Sequence, residues 1–94
     1  MKFMVTFSWE PNTATRQEGV KRFLETGGLP PPGATLLGRW TRLDFGGGYV
    51  LLESNDPQAL TEFALMWSDV MTLQIIPVLE DQPLAEVLQR LPAR

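Results

Sequence analysis

The sequence predicts an α+β fold built on a four-stranded antiparallel sheet, and three observations carry that expectation. Strand-like and helix-like stretches follow one another in the order β-α-β-β-α-β, with a short helix after them. A glycine-rich hairpin sits at the centre, and the strands carry large apolar groups on both faces.

The first strand is read over Lys2–Trp9. Phe3, Val5, Phe7 and Trp9 alternate with Met4, Thr6 and Ser8, and the β-branched and aromatic content suits a pleated surface. Glu10-Pro11-Asn12-Thr13 is turn chemistry, and either Asn12 or Thr13 can cap a helix. Residues 14–26 read as that helix, amphipathic with Val20, Phe23 and Leu24 inward. Gly19 weakens it by roughly 1 kcal/mol relative to Ala, and Gly27 suits its C-terminal stop. Leu29-Pro30-Pro31-Pro32-Gly33 is read as a stiff extended connector, with a partner-binding segment as the alternative, since three prolines exclude both a helix and a central strand.

The hairpin is read as residues 36–43 and 49–54 joined by Asp44-Phe45-Gly46-Gly47-Gly48. Pairing Leu43 with Tyr49 sets Thr41 opposite Leu51, Trp40 opposite Leu52 and Arg39 opposite Glu53, and the opposite charges favour this register. Leu37, Arg39, Thr41, Tyr49, Leu51 and Glu53 then share one face. Leu36, Gly38, Trp40, Val50, Leu52 and Ser54 share the other. The glycine run has no helix behind it and is read as turn rather than phosphate cradle.

Asn55-Asp56-Pro57 is a strong helix start, a capping side chain with proline at the first helical position, and the helix runs to about Asp69. Leu60, Phe63, Ala64 and Trp67 form its inward stripe, widened by Leu65, Met66 and Val70. Thr72–Glu80 is the fourth strand, and Pro77 pushes it to an edge or a bulge. Asp81 can cap a last short helix with Leu84, Val87, Leu88 and Leu91 inward.

The 94 residues make one domain, 1–94. There is no Cys and no His, which removes thiolate and imidazole metal ligands and the commonest general base at neutral pH. Metal and cofactor are therefore expected to be none. Formal charge is −3, with eight basic residues scattered singly, so no nucleic-acid partner is expected. Gly47-Gly48-Tyr49-Val50 echoes the third strand of RNA-recognition domains, but the basic residue is missing and that reading is rejected. No stretch approaches the ~20 apolar residues of a spanning helix, so no membrane partner and a cytoplasmic location are the default expectation.

The order of elements is the split βαβ, ferredoxin-like pattern, with two helices on one face of the sheet. The other face then has no cover within the chain, and a homodimer stacking two open faces is the expected solution. Met1-Lys2-Phe3-Met4-Val5-Thr6, Phe23-Leu24-Glu25-Thr26-Gly27-Gly28, Leu36-Leu37-Gly38-Arg39-Trp40 and Trp67-Ser68-Asp69 resemble domain of unknown function 3303, a family of small bacterial proteins in the dimeric α+β barrel superfamily. The resemblance implies two ferredoxin-like subunits packed sheet to sheet. It also places the chain among relatives that include cofactor-independent monooxygenases, haem-degrading enzymes and small isomerases. The chain departs from the haem-binding members in having no His.

Candidate ligand-binding residues are Arg39, Trp40, Tyr49, Glu53, Trp67 and Asp69. Arg39 beside Glu53 can hold a carboxylate or carbonyl group, or serve only as a cross-strand ion pair. Trp9, Trp40 and Trp67 can wall an aromatic pocket between helices and sheet, or fill the core. Asp69 ends a helix against the dipole preference, which calls for a hydrogen-bonding partner or a ligand role. The first functional reading is a homodimeric protein that binds a small hydrophobic ligand, extending to a cofactor-independent enzyme acting on an aromatic carbonyl compound. The alternative is a non-catalytic dimerisation module. A cavity of ~300 Å³ or more with a polar group would favour the first.

Overall fold

The computed structural model describes residues 1–92; residues 93 and 94, the end of the expected domain, lie outside the described range. Its elements are β1 (Lys2–Trp9), α1 (Thr13–Thr26), β2 (Ala34–Thr41), β3 (Gly47–Ser54), α2 (Pro57–Trp67), β4 (Met71–Val78) and α3 (Asp81–Arg90). The sheet order is β2-β3-β1-β4 with every neighbouring pair antiparallel, the ferredoxin-like arrangement. Pro77 lies in β4, an edge strand, where its missing N–H removes little from the ladder.

The starts of α1 and α2 follow local chemistry, whereas Asp81, expected to cap α3, is its first residue, behind Glu80, and no side-chain cap hydrogen bond forms there. The Asn12 side chain accepts from the Thr15 N–H, and Asp56 accepts from the Gln58 N–H with Pro57 in the first turn. Gly27 ends α1 at φ 74°. The proline connector is fastened to the sheet by Ser54, whose hydroxyl donates to the Gly33 carbonyl at 2.6 Å.

The pairing defines two faces. One carries the rows Leu36-Leu52-Phe3-Pro77, Arg39-Val50-Val5-Ile75 and Thr41-Gly48-Phe7-Leu73. Against it pack Leu60, Phe63 and Trp67 of α2, with Val70 and Met71, forming the core around the fully buried Val5 and Leu52. The other carries Thr35-Glu53-Lys2-Val78, Gly38-Leu51-Met4-Ile76 and Trp40-Tyr49-Thr6-Gln74. Among the described residues no helix roofs this second face: Ile76, Tyr49 and Trp40 are exposed, and Trp40 lies back over Gly38.

The hairpin register differs from the expected one. Thr41 faces Gly48 rather than Leu51, a displacement of three residues, and a β-bulge follows between Leu36 and Gly38. Because side chains alternate, an odd displacement exchanges faces. Arg39 lies opposite Val50 on the helix side and Glu53 opposite Thr35 on the open side, so they form no cross-strand pair. Trp40 and Tyr49, expected on different faces, are direct neighbours. The cause lies in the glycines. Gly47 and Gly48 are buried strand residues rather than loop: a Cβ on Gly47 would stand 2.0 Å from the Phe7 carbonyl oxygen of β1. The turn consequently closes earlier, with the Phe45 N–H donating to the Arg42 carbonyl and Phe45 itself at φ 57°.

The helices bury less than their apolar spacing suggests. Leu24 of α1 is 77% exposed, and Leu65 and Met66 of α2 face solvent. Every residue of α3 is exposed, including Leu84, Val87, Leu88 and, just beyond it, Leu91, all expected inward. The helix side of the sheet is already occupied by α1 and α2. The described residues extend over 55 × 29 × 17 Å, and α3, exposed at every residue, packs on neither face of the sheet.

Candidate functional site

A chamber of about 170 Å³ lies between α1 and the sheet. Its floor is Phe7, Val50 and Leu73, and α2 contributes Phe63 and Trp67. α1 contributes Val20 and Phe23. Trp9 and Phe45 stack across one end with ring centres 5.5 Å apart, and Phe7 meets Trp9 edge-on. The half-exposed rings of Phe23 and Phe45 mark where the chamber meets solvent.

The room exists because α1 rests on a few points rather than a continuous stripe. At Gly19 the helix touches the Trp9 indole so closely that a Cβ would stand 2.3 Å from the ring. The glycine that weakens the isolated helix is what lets it approach the strand. At Arg22 the helix is tied to the end of α2. The guanidinium donates to both Asp69 carboxylate oxygens at 2.9 Å and to the Met66 carbonyl at 2.7 Å, and lies 5.4 Å from the centre of the Trp67 ring. Hydrogen bonding from Arg22 holds the Asp69 carboxyl below the usual range, while Asp69 pushes the Arg22 pKa up. The partner that Asp69 needed at a helix C-terminus is therefore Arg22.

Polar groups at the wall are few. Arg39 reaches in from β2, with its Nη1 donating to the Gly28 carbonyl at 3.1 Å and its guanidinium carbon 4.6 Å from the centre of the Phe23 ring. Trp9 is a wall residue, but its indole N–H is buried out of reach of the chamber space and has no acceptor among the described residues. Thr41 adds a hydroxyl-bearing side chain.

Of the six candidates, Arg39 and Trp67 line this chamber. Asp69 stands behind Trp67 in the ion pair with Arg22. Trp40, Tyr49 and Glu53 belong to the open face. Trp9 joins Trp67 at the chamber, and Trp40 does not. Phe45 and Gly28 carry no signal that composition or spacing could reveal. Phe45 is brought in by a left-handed turn, and Gly28 by its place just past the α1 cap, at φ 63°. Among the described residues no group of three or more acidic side chains stands where it could hold a metal ion, and no helix is long and apolar enough to cross a membrane.

The family model described as Domain of unknown function (DUF3303) matches residues 1–92, and the chain belongs to that family. No curated protein matches the sequence.

Proposed function

We propose that this member of the DUF3303 family binds a small, largely apolar molecule in the chamber beneath α1, and that it works as a pair of identical copies joined through the open sheet face. The observation that carries the first part is an aromatic-walled chamber of about 170 Å³ with Arg39, a guanidinium-bearing residue, at its wall. This is smaller than the ~300 Å³ expected of a pocket from the sequence, and close to the roughly 150 Å³ at which an apolar cavity accepts benzene. It suits one ring with a small substituent. Among the described residues Arg39 is the only ionisable group at the wall. Tyr49 and Glu53, the groups best able to move a proton, lie across the sheet. Binding, rather than turnover of an aromatic carbonyl compound, is therefore the reading taken.

Two surfaces support the pairing. Leu51, Met4 and Ile76 run across the middle of the open face beside Tyr49 and Trp40, and α3 holds Leu84, Val87 and Leu88 out to solvent. Apolar surface of this kind is stable when another copy covers it.

Intrinsic tryptophan fluorescence titrated with toluene, benzyl alcohol, benzamide and benzoate tests the chamber, since Trp9 and Trp67 line it. A saturable change is expected, and none with any probe removes the binding reading. Sedimentation of the same sample is expected to give a dimer, and a monomer at micromolar concentration removes the pairing.

A further inference from the structure

We infer that the molecule held in this chamber is an anion, a single-ring aromatic carboxylate whose carboxylate is received by Arg39; this rests on the binding reading above and names the ligand class within it.

The polar part of the wall is rich in donors. The Arg39 guanidinium has five N–H donors and no acceptor. Among the described residues the one acceptor for the Arg39 side chain is the Gly28 carbonyl. Thr41 can act either way. A wall that supplies mainly donors selects a ligand that supplies acceptors.

Charge points the same way. Arg39 occupies the row Arg39-Val50-Val5-Ile75, whose other members are apolar, and the residue is half-buried against Phe23. A positive charge partly withdrawn from water is costly without a counter-charge. Among the described residues no carboxylate lies within salt-bridge distance of Arg39, nor of the exposed Arg16, Lys21 and Arg90, whereas Lys2 and Arg42 each have one and Arg22 has two. A bound carboxylate supplies the missing charge and, with two oxygens in one plane, matches the guanidinium fork. Phe23 stacks on one side of that fork and orients it.

Shape supplies the ring. Phe7, Trp9, Phe45, Phe63 and Trp67 surround a space of about 170 Å³, which takes one planar ring and little more. Aromatic walls favour a flat guest by offset and edge-to-face contact. Benzoate and phenylacetate combine the ring with the anion.

The test is calorimetric titration of the full chain at neutral pH with benzoate and phenylacetate, against benzamide, benzyl alcohol and toluene as neutral partners of similar size. The expected result is that a carboxylate binds at least about tenfold more tightly than its neutral counterpart, the scale of a charge-assisted hydrogen bond in a partly buried site. Arg39→Met is expected to abolish that preference while leaving toluene within about twofold, and Arg39→Lys to keep part of it. Toluene or benzamide binding at least as tightly as benzoate overturns the anionic class and leaves the chamber reading standing. Equal loss for charged and neutral probes in a folded Arg39→Met makes Arg39 structural and also overturns it. No binding by any probe removes the chamber reading and this one together. The wild-type comparison of charged with neutral probes stands even where a variant fails to fold.

Discussion

Two arginines lie over aromatic residues of the chamber wall, Arg39 at the wall itself and Arg22 outside it against Trp67, and their surroundings differ in one respect. Arg22 lies against Trp67, and Arg39 lies against Phe23, each as a cation over an aromatic face. Arg22 also holds Asp69 by both carboxylate oxygens and caps the Met66 carbonyl, so its charge and its donors are met within the fold. Arg39 has a single carbonyl acceptor among the described residues. The first side chain joins α1 to α2 and is structural. The second has spare charge and spare donors facing a space of molecular size, which is the condition for a binding group rather than a strut.

The largest effect expected from breaking this comparison is on the Arg22 side. Trp67 is 6% exposed and belongs to the core as well as to the chamber wall. Trp67→Ala is expected to lower stability by about 3–5 kcal/mol, read from urea unfolding, because it leaves a void and removes the ring beneath Arg22. A loss under about 1 kcal/mol would mean that α2 does not anchor the core.

Next comes the seat of Arg39. Gly28 has φ 63°, and a Cβ there would stand 2.8 Å from Arg39 Nη1 and 3.1 Å from the Phe23 ring. Gly28→Ala is expected to cost about 1–2 kcal/mol through the left-handed backbone, and to shift the guanidinium. Gly27 is also left-handed, but its nearest neighbour to an added Cβ is Leu29 at 3.9 Å. Gly27→Ala should therefore cost a similar amount of stability and leave ligand affinity unchanged. Equal effects of both variants on affinity would show that the position of Arg39 does not control binding.

The smallest effect is that of the Arg22–Asp69 pair itself. Its geometry is bidentate, but the Asp69 side chain is 61% exposed, so water screens the attraction. A double-mutant cycle with Arg22→Met and Asp69→Asn is expected to give a coupling of about 0.2–1 kcal/mol. The Asp69 carboxyl is held below its usual range by Arg22, so folding stabilises its charged form. That contribution is fully present above the unfolded carboxylate value of about 3.9 and is lost as pH falls through the lower folded value. Asp69→Asn should accordingly differ from the wild type at neutral pH and converge with it in acid, as followed by urea unfolding across the pH range. A difference constant with pH would assign the effect to something other than this ion pair.

Most of the fold is legible in the sequence because its signals are local. Alternation over Lys2–Trp9 specifies β1 to the residue, and Asn12 and Asp56 cap the helices that their side chains suggest. Pro77 places β4 at an edge. The site is less legible. Arg39, Trp9 and Trp67 are visible as side chains able to build one, but their grouping depends on register, and register depends on where the hairpin turns. Phe45 enters the chamber wall only because the turn at Arg42 holds it at positive φ. Gly19, which costs helix stability when read alone, is explained only by the Trp9 ring it meets.

Caps, alternation and proline act over a few neighbouring residues, so the elements, their order and the ferredoxin-like sheet they form could be read from the chain alone. Three outcomes could not: which face each hairpin residue occupies, which arginine has a partner, and that the apolar stripe of α3 is left to solvent. Each turns on contacts between distant segments. The approach of β1 to Gly47 and Gly48 moves the hairpin by three residues, and an odd shift is enough to carry Arg39 to the chamber and leave Glu53 on the opposite side of the sheet.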